Sequence, residues 1–227
     1  MKFNEFYSLT IVHSRDIILV KGVDYMNITK QKSQKTFDKQ AADYDTNIQG
    51  EHARKLYKPI IENLKNKNIH SILDLGCGTG ALLKEIKELN IAEQLFGIDI
   101  SPNMLEIAKN KLGNATLILG DSERLPFEDS SFDAIVCNDS FHHYPQPDIV
   151  EKEVSRCLKQ NGVFIIGDCW QPIGARQIMN YYMKHSNSGD VKIYSKKEML
   201  LLLSKDFHEI EWKSFGTRSC LIIAYNN

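Results

Sequence analysis

This chain has no excess of positive charge, no apolar run long enough to cross a membrane, no closely spaced cysteines and no internal repeat. Each absence closes off a class of function. With 28 Lys and Arg against 29 Asp and Glu, the formal net charge is −1. No basic field is present to hold a polyphosphate backbone, so nucleic acid is not an expected partner. No stretch approaches the roughly 20 apolar residues of a membrane span. The five cysteines, Cys77, Cys137, Cys157, Cys169 and Cys220, are odd in number, and no two stand at C-x-x-C or metal-knuckle spacing. They read as reduced thiols of a cytoplasmic protein. What remains is an ordinary globular composition, 42% hydrophobic and 25% charged. At 227 residues the chain fits one domain better than two, as a monomer or homodimer.

Residues 1–25 fit this picture poorly. Phe6 to Val20 is fairly apolar but is broken by His13, Arg15 and Asp16, and no small-residue cleavage site follows a clean apolar run. It reads as an N-terminal extension rather than a secretory signal. Met26 opens a polar, Lys-rich segment with the character of a natural start, and residues 26–227 are expected to form the single domain.

From Ile69 onward, short β-branched runs alternate with helical patterns, which predicts βαβ units and a parallel sheet. Strands are expected at Ser71 to Leu75, Gln94 to Asp99, Ala115 to Leu119, Asp133 to Cys137 and Val163 to Gly167. Several are apolar almost throughout, as helices on both faces require. Ser101 and Pro102 should start a helix that Gly113 stops, Asn161-Gly162 should close the helix opening near Pro147, and Ser195 with Glu198 has capping-box spacing. The tail departs from alternation. Phe207 to Phe215 and Ser219 to Tyr225 are separated only by a short Gly216-Thr217 turn, a hairpin that puts one antiparallel strand into the sheet. The predicted fold is α/β: a doubly wound, mostly parallel seven-stranded sheet whose last strand is reversed. Helices over Thr36 to Thr46 and Glu51 to Lys65, the second interrupted by Pro59, precede the first strand. An aromatic and methionine-rich insertion from Cys169 to Tyr194 is expected to join the segment 30–66 as a cover, the alternatives being plain core or a dimer contact.

The strongest chemical signal is Asp74-Leu75-Gly76-Cys77-Gly78-Thr79-Gly80, a buried strand running into a glycine turn and then a helix. Only backbone without Cβ makes so tight a turn and lets a ligand lie against the main chain near a helix N-terminus. Asp99 ends the next strand, 23 residues past Gly76, where a carboxylate accepts ribose hydroxyls. Gly76-x-Gly78-x-x-Ala81 also satisfies a dinucleotide fingerprint, so an NAD(P)-dependent oxidoreductase is the competing class, with a non-catalytic binding module as a third. Asp74, Gly80 and a third acidic position, Asp121 in Gly120-Asp121-Ser122, separate the two ligand classes.

With these motifs in order, the chain resembles the class I S-adenosylmethionine-dependent methyltransferases from about Phe37 to its C-terminus. Arg124-Leu125-Pro126-Phe127 to Ser131-Phe132-Asp133, and Phe37-Asp38-x-x-Ala41-x-x-Tyr44-Asp45 upstream, are similar to runs of the small-molecule branch that includes the ubiquinone and menaquinone C-methyltransferases. The resemblance implies S-adenosylmethionine as cofactor, S-adenosylhomocysteine as product and a small-molecule acceptor. It also implies that Asp74 and the Gly76 to Gly80 backbone hold the methionine portion with the Asn138 main chain nearby. Asp99 would take the ribose, Ile100 the adenine face and Asp121-Ser122 the adenine edge, while Tyr44 closes over the methionine end. Cys77 is a small spacer in the turn, and Leu125 and Phe127 read as core.

Asn138-Asp139-Ser140-Phe141-His142-His143-Tyr144-Pro145 follows the fourth strand without the prolines of an N-P-P-Y motif. That counts against methylation of a nucleic-acid base. His142 and His143, with Asp168 after the fifth strand, are the candidate catalytic residues: a histidine polarised by the carboxylate would take a proton from the acceptor. No metal is expected, because adjacent histidines do not easily chelate one ion and no ligand set surrounds them in sequence.

Overall fold

The computed structural model describes residues 18–19 and 28–227. The expected extension, the secretory alternative and the Met26 start fall outside the described residues, except for the backbone of Ile18–Leu19. That pair forms β1, parallel to β4 (Thr116–Leu119) with Ile18 opposite Ile118.

The apolar runs become β2 (Ile69–Leu75), β3 (Ala92–Asp99), β4, β5 (Phe132–Asn138) and β6 (Leu158–Cys169), all parallel. The tail hairpin is β7 (Phe207–Phe215) and β8 (Ser219–Asn226). The seven expected strands are present, and the two-residue β1 adds an eighth in the order β1-β4-β3-β2-β5-β6-β8-β7. Among the described residues only β8 runs against its neighbours, β6 and β7, and it lies between them rather than at the rim.

Alternate strand residues feed two cores. On one face Ile135, Phe164 and Ile222 meet Val150 and Val154 of α5 (Pro147–Cys157) and Leu203 of α7 (Lys196–Leu203). On the other, Ile72, Val136 and Ile165 meet Leu56 and Ile60 of α2 (Glu51–Leu64). Leu83 of α3 (Ala81–Glu88) and Leu105 of α4 (Pro102–Leu112) complete this second core. Each such burial stabilises by about 1.5–3 kcal/mol. Strand order reverses beside β2, and crossovers leave in opposite directions there, which opens a crevice at the carboxyl ends of β2 and β5.

Local signals held where side chains cap directly. Ser101 Oγ accepts the Met104 N–H with Pro102 at the first turn, and Ser195 and Glu198 form the capping box. Three expectations need correction. The first helix, α1, spans Ile28–Gln40 rather than Thr36 to Thr46. The Asp43 carbonyl draws in the N–H groups of Thr46 and Asn47 at 2.9 Å each, so that segment turns instead of continuing. Pro59 sits inside α2 without interrupting it. Finally, α5 stops at Cys157, because the carbonyls of Arg156 and Cys157 accept the Ser130 and Ser131 N–H groups. Asn161-Gly162 instead lies within β6, at a break in its register with β5 between Leu158 and Val163, where Asn161 has φ +58°.

In the aromatic insertion, α6 (Ala175–Met183) has no buried residue, and Tyr181 and Tyr182 are 63% and 68% exposed. It is not plain core.

Candidate active site

The crevice holds an open cleft of about 900 Å³ whose floor is the glycine turn. Gly76 has φ +74°, and a Cβ there would lie 2.6 Å from Ser140 Oγ. Ser140 is fixed in turn: its hydroxyl donates to the Leu75 carbonyl at 2.9 Å and meets the Tyr144 hydroxyl at 2.9 Å. Gly80, at φ +72°, has the Ala108 and Leu112 side chains of α4 within 3.0 Å of the Cβ position. The N–H groups of Gly76 and Cys77 share the Ile98 carbonyl, which locks the turn to β3. Cys77 is buried beneath Gly97, and burial followed by the charges of Asp99 and Asp74 pushes its thiol up, which disfavours the thiolate that a nucleophile needs.

Two carboxylates are sunk in this floor. Asp99 accepts the Gly78 N–H at 2.7 Å and the Ser101 N–H at 2.8 Å. Burial raises its pKa to about 6 against the pull of those N–H groups. Asp74 is 2% exposed, and its Oδ1 has no hydrogen-bond partner among the described residues. Burial and then the Asp99 charge push it to about 8.

The walls come from farther away in sequence. Ile100, Asp121, Ser122 and Asn138 line the cleft, as do Phe37 of α1 and Tyr44 in the turn after it. The acids of the F-D-x-x-A-x-x-Y-D run dock this wall rather than do chemistry. Asp38 accepts the Ser101 hydroxyl at 2.6 Å, and Asp45 accepts the Thr79 hydroxyl at 2.6 Å and pairs with Lys111. Buried Lys30 bridges Asp121, at 2.6 Å, and Glu123.

Between Ser140 and Tyr144 stands a second polar group. A 3₁₀ turn, Phe141–His143, leaves β5, and Asp168 at the end of β6 holds it twice: His142 donates from Nδ1 to Oδ1 at 2.6 Å and from its backbone N–H to Oδ2 at 3.0 Å. Burial alone lowers the His142 pKa, but the Asp168 carboxylate more than offsets it and holds the ring well above its ordinary value. His143 goes the other way, to about 4, through burial and the His142 charge. Asp168 does pair with a histidine as expected. Yet His142 and Asp168 face a small side cavity with Trp212 and Tyr194, and only His143 of the three lines the main cleft.

A family profile described as a methyltransferase domain matches residues 73–166. The chain is 32% identical over 162 residues to a demethylmenaquinone methyltransferase of Thermotoga maritima, covering 69% of this chain and 71% of the relative. It is 35% identical over 125 residues to a sterol 4-C-methyltransferase of Caenorhabditis elegans, covering 52% and 36%. Among solved structures, a Thermotoga maritima S-adenosylmethionine-dependent methyltransferase, described as a possible histamine N-methyltransferase, shares the fold. Its TM-score is 0.67 at 19% identity, with 86% of this chain and 100% of that one covered. The chain belongs to the class I S-adenosylmethionine-dependent methyltransferases, in the menaquinone and ubiquinone methyltransferase-like group.

This methyltransferase transfers a methyl group from S-adenosylmethionine to a small-molecule acceptor. The site fits that donor. The orphaned Asp74 Oδ1 offers a counter-charge to an ammonium group, the turn is open above Gly78 where nothing lies within 4 Å of a Cβ, and Asp99 stands where a ribose diol would donate. Leu125 is core, and Phe127 packs edge-on to Phe132 at 4.8 Å, also core. Sequence reasoning missed Ser140 and Tyr144 beneath the turn, though both lie in the run it singled out. It also missed Lys30, the 2.6 Å pair of His52 with Asp139, and Asp190. Asp190 carries no sequence signal, since it reaches the site from the loop after α6.

Proposed function

We propose that the acceptor is a flat hydroxylated ring of the quinol type, methylated on carbon. One observation carries this reading: Phe37 stands edge-on to both Tyr44 (6.2 Å, 74°) and His143 (5.1 Å, 81°), and the three form an aromatic corner that lines the cleft. Such a corner receives the face or edge of a ring. The relatives named demethylmenaquinone methyltransferase and sterol 4-C-methyltransferase support carbon as the methylated atom.

Bound in the cleft, S-adenosylmethionine supplies a methyl carbon whose bond to a sulfonium breaks with the electron pair left on sulfur. The chain's own part is placement. Asp74, the glycine turn and Asp99 fix the donor side; Tyr44 and Phe37 confine the acceptor and exclude water; His143 faces it. His142 and Asp168 are positioning residues, since His142 Nδ1 is spent on Asp168 and the pair lies outside the main cleft. In-line placement alone lowers barriers by about 7–11 kcal/mol in intramolecular reactions. The segments 30–66 and 169–194 act as a cover on one domain spanning 26–227. Ser33 of α1 donates to the Gly189 carbonyl at 3.0 Å, which supports this. Five free thiols and a balanced charge support a cytoplasmic protein that does not act on nucleic acid.

The test is incubation with S-adenosylmethionine and a short-chain 2-prenyl-1,4-naphthoquinol, read by mass spectrometry. Gain of one methylene mass on a ring carbon is expected. Methylation of phosphoethanolamine or histamine but not the quinol would overturn the assignment.

A further inference from the structure

We propose that His142, His143 and Asp190 form a binding site for one divalent transition ion of the Zn²⁺ type, oriented by Asp168 and Ser188. The three ligand atoms come from two segments far apart in sequence. Asp190 Oδ1 lies 3.2 Å from His143 Nδ1 and 3.7 Å from His142 Nε2, and all three atoms fall within 4.8 Å of one another. Four-coordinate zinc, with bonds of about 2.0–2.1 Å, holds its ligand atoms about 3.3–3.5 Å apart. The two nitrogen-to-oxygen separations bracket that spacing.

Hydrogen bonding points the same way. With Nδ1 engaged by Asp168, an ion would take Nε2 of His142, 3.7 Å from Asp190 Oδ1, and displace the proton that this nitrogen carries in the charged ring. His143 Nδ1 is buried and has no hydrogen-bond partner among the described residues, although a carboxylate oxygen is 3.2 Å away. Two ring nitrogens and a carboxylate oxygen then lie close together, His143 Nδ1 has no hydrogen bond, and a cation satisfies all three. The surroundings are built for it. Ser188 Oγ donates to Asp190 Oδ2 at 2.5 Å, leaving Oδ1 for the ion. The Val191 and Lys192 N–H groups both bond the His142 carbonyl, at 2.9 and 3.1 Å, and clamp the Asp190 segment in place. Histidines oriented by carboxylates through the second ring nitrogen are the usual support of a zinc ligand. Two histidines and one carboxylate leave a coordination position open, as catalytic zinc sites do.

His143 lines the main cleft, so that open position serves an acceptor oxygen. Resting on the quinol reading, the ion would bind the acceptor hydroxyl and release its proton to solvent; the electron-rich ring carbon would take the methyl group as its bond to sulfur breaks, and that carbon's own proton would pass to the oxygen and restore the hydroxyl. The ion site itself does not depend on that reading.

The test uses the full chain without a histidine tag, stripped by a chelator, and needs no acceptor. Titration calorimetry with Zn²⁺ should show one site of micromolar or tighter affinity, and Co²⁺ should give the visible absorption of a four-coordinate ion. Asp190→Ala and His143→Ala should each weaken Zn²⁺ by about 100-fold or more, and Asp168→Asn by about 10-fold. Asp190→Ala should keep its thermal stabilisation by S-adenosylhomocysteine, which shows it folded. If it does not, the Co²⁺ spectrum of the unmutated chain decides. No stoichiometric Zn²⁺ binding, equal binding by Asp190→Ala, or a six-coordinate Co²⁺ spectrum overturns the proposal. So does a cobalt–thiolate band lost in Cys169→Ser, which would move the ion to the neighbouring His142, Asp168 and Cys169 set.

Discussion

The donor half of the cleft and the acceptor half are built in opposite ways. The donor half lies within one stretch, Asp74 to Ser122, and its glycine turn is tied to the next strand by backbone bonds and by Asp99. The acceptor half gathers α1, the 3₁₀ turn after β5, the end of β6 and the loop after α6, joined mostly through side chains. Local construction yields a stiff floor with carboxylates held at raised pKa. Assembly from four segments yields walls that can be exchanged without disturbing the floor, which is how one fold serves many acceptors.

The largest effect expected from this contrast is at Gly76. A Cβ there meets Ser140 at 2.6 and 2.8 Å while φ stays at +74°, so Gly76→Ala combines backbone strain with a clash, destabilising by about 3 kcal/mol. Gly78→Ala, with φ +51° but nothing within 4 Å, should lose only about 1 kcal/mol. Thermal melting of both variants checks the pair. Equal losses would mean the floor is not rigid.

Next comes Asp99→Ala. It removes the acceptor of the Gly78 and Ser101 N–H groups and the carboxylate proposed to take the ribose, and one charge-assisted bond is worth about 1.5–3 kcal/mol. Calorimetry should find S-adenosylhomocysteine affinity reduced by about 10–100-fold. Unchanged affinity would place the ribose elsewhere.

The two halves also differ in how far the sequence disclosed them. Asp74, the glycines and Asp99 were legible because a strand-to-helix turn imposes fixed spacing on residues close in the chain, and the structure brings them together. The paired strands β7 and β8 were legible for the same reason, though not that β8 lies between β6 and β7. On the acceptor side, His142 and Asp168 could be named from their places after strands, but not that they pair outside the main cleft. Asp190 was invisible, since its meeting with His142 is set by how the loop after α6 packs. The start of α1 was missed because its polar, Lys-rich sequence has little apolar periodicity.

A smaller effect is the pH dependence of donor-side binding. The folded pKa of Asp74 is raised to about 8, so its contribution to stability of the free protein is full below about pH 4 and is lost as pH rises to about 8. An ammonium group beside it favours the carboxylate. Between about pH 6.5 and 8, binding of S-adenosylhomocysteine must therefore release the Asp74 proton, and affinity should climb by about tenfold per pH unit before levelling. Calorimetry in two buffers of different ionisation enthalpy counts that proton. A flat profile without proton release would show that Asp74 is already ionised, and the donor half would lose its electrostatic distinction.

The smallest expected effect is in the acceptor half, and it asks whether the two halves move independently. Ser33 ties α1 to the loop after α6 through one neutral hydrogen bond, from its hydroxyl to the Gly189 carbonyl. A bond of this kind contributes about 1 kcal/mol, so Ser33→Ala should raise the open population of that loop about fivefold. Hydrogen exchange should then run about fivefold faster at amides that face Ser33 and the 3₁₀ turn, including Val191 and Lys192, which bond the His142 carbonyl. The β2 and β5 amides under the glycine turn are held by strand pairing on both sides and should not change. Acceleration confined to the loop keeps the halves separate. If the β2 and β5 amides accelerate as well, opening is concerted, and the acceptor walls cannot be exchanged without loosening the donor floor.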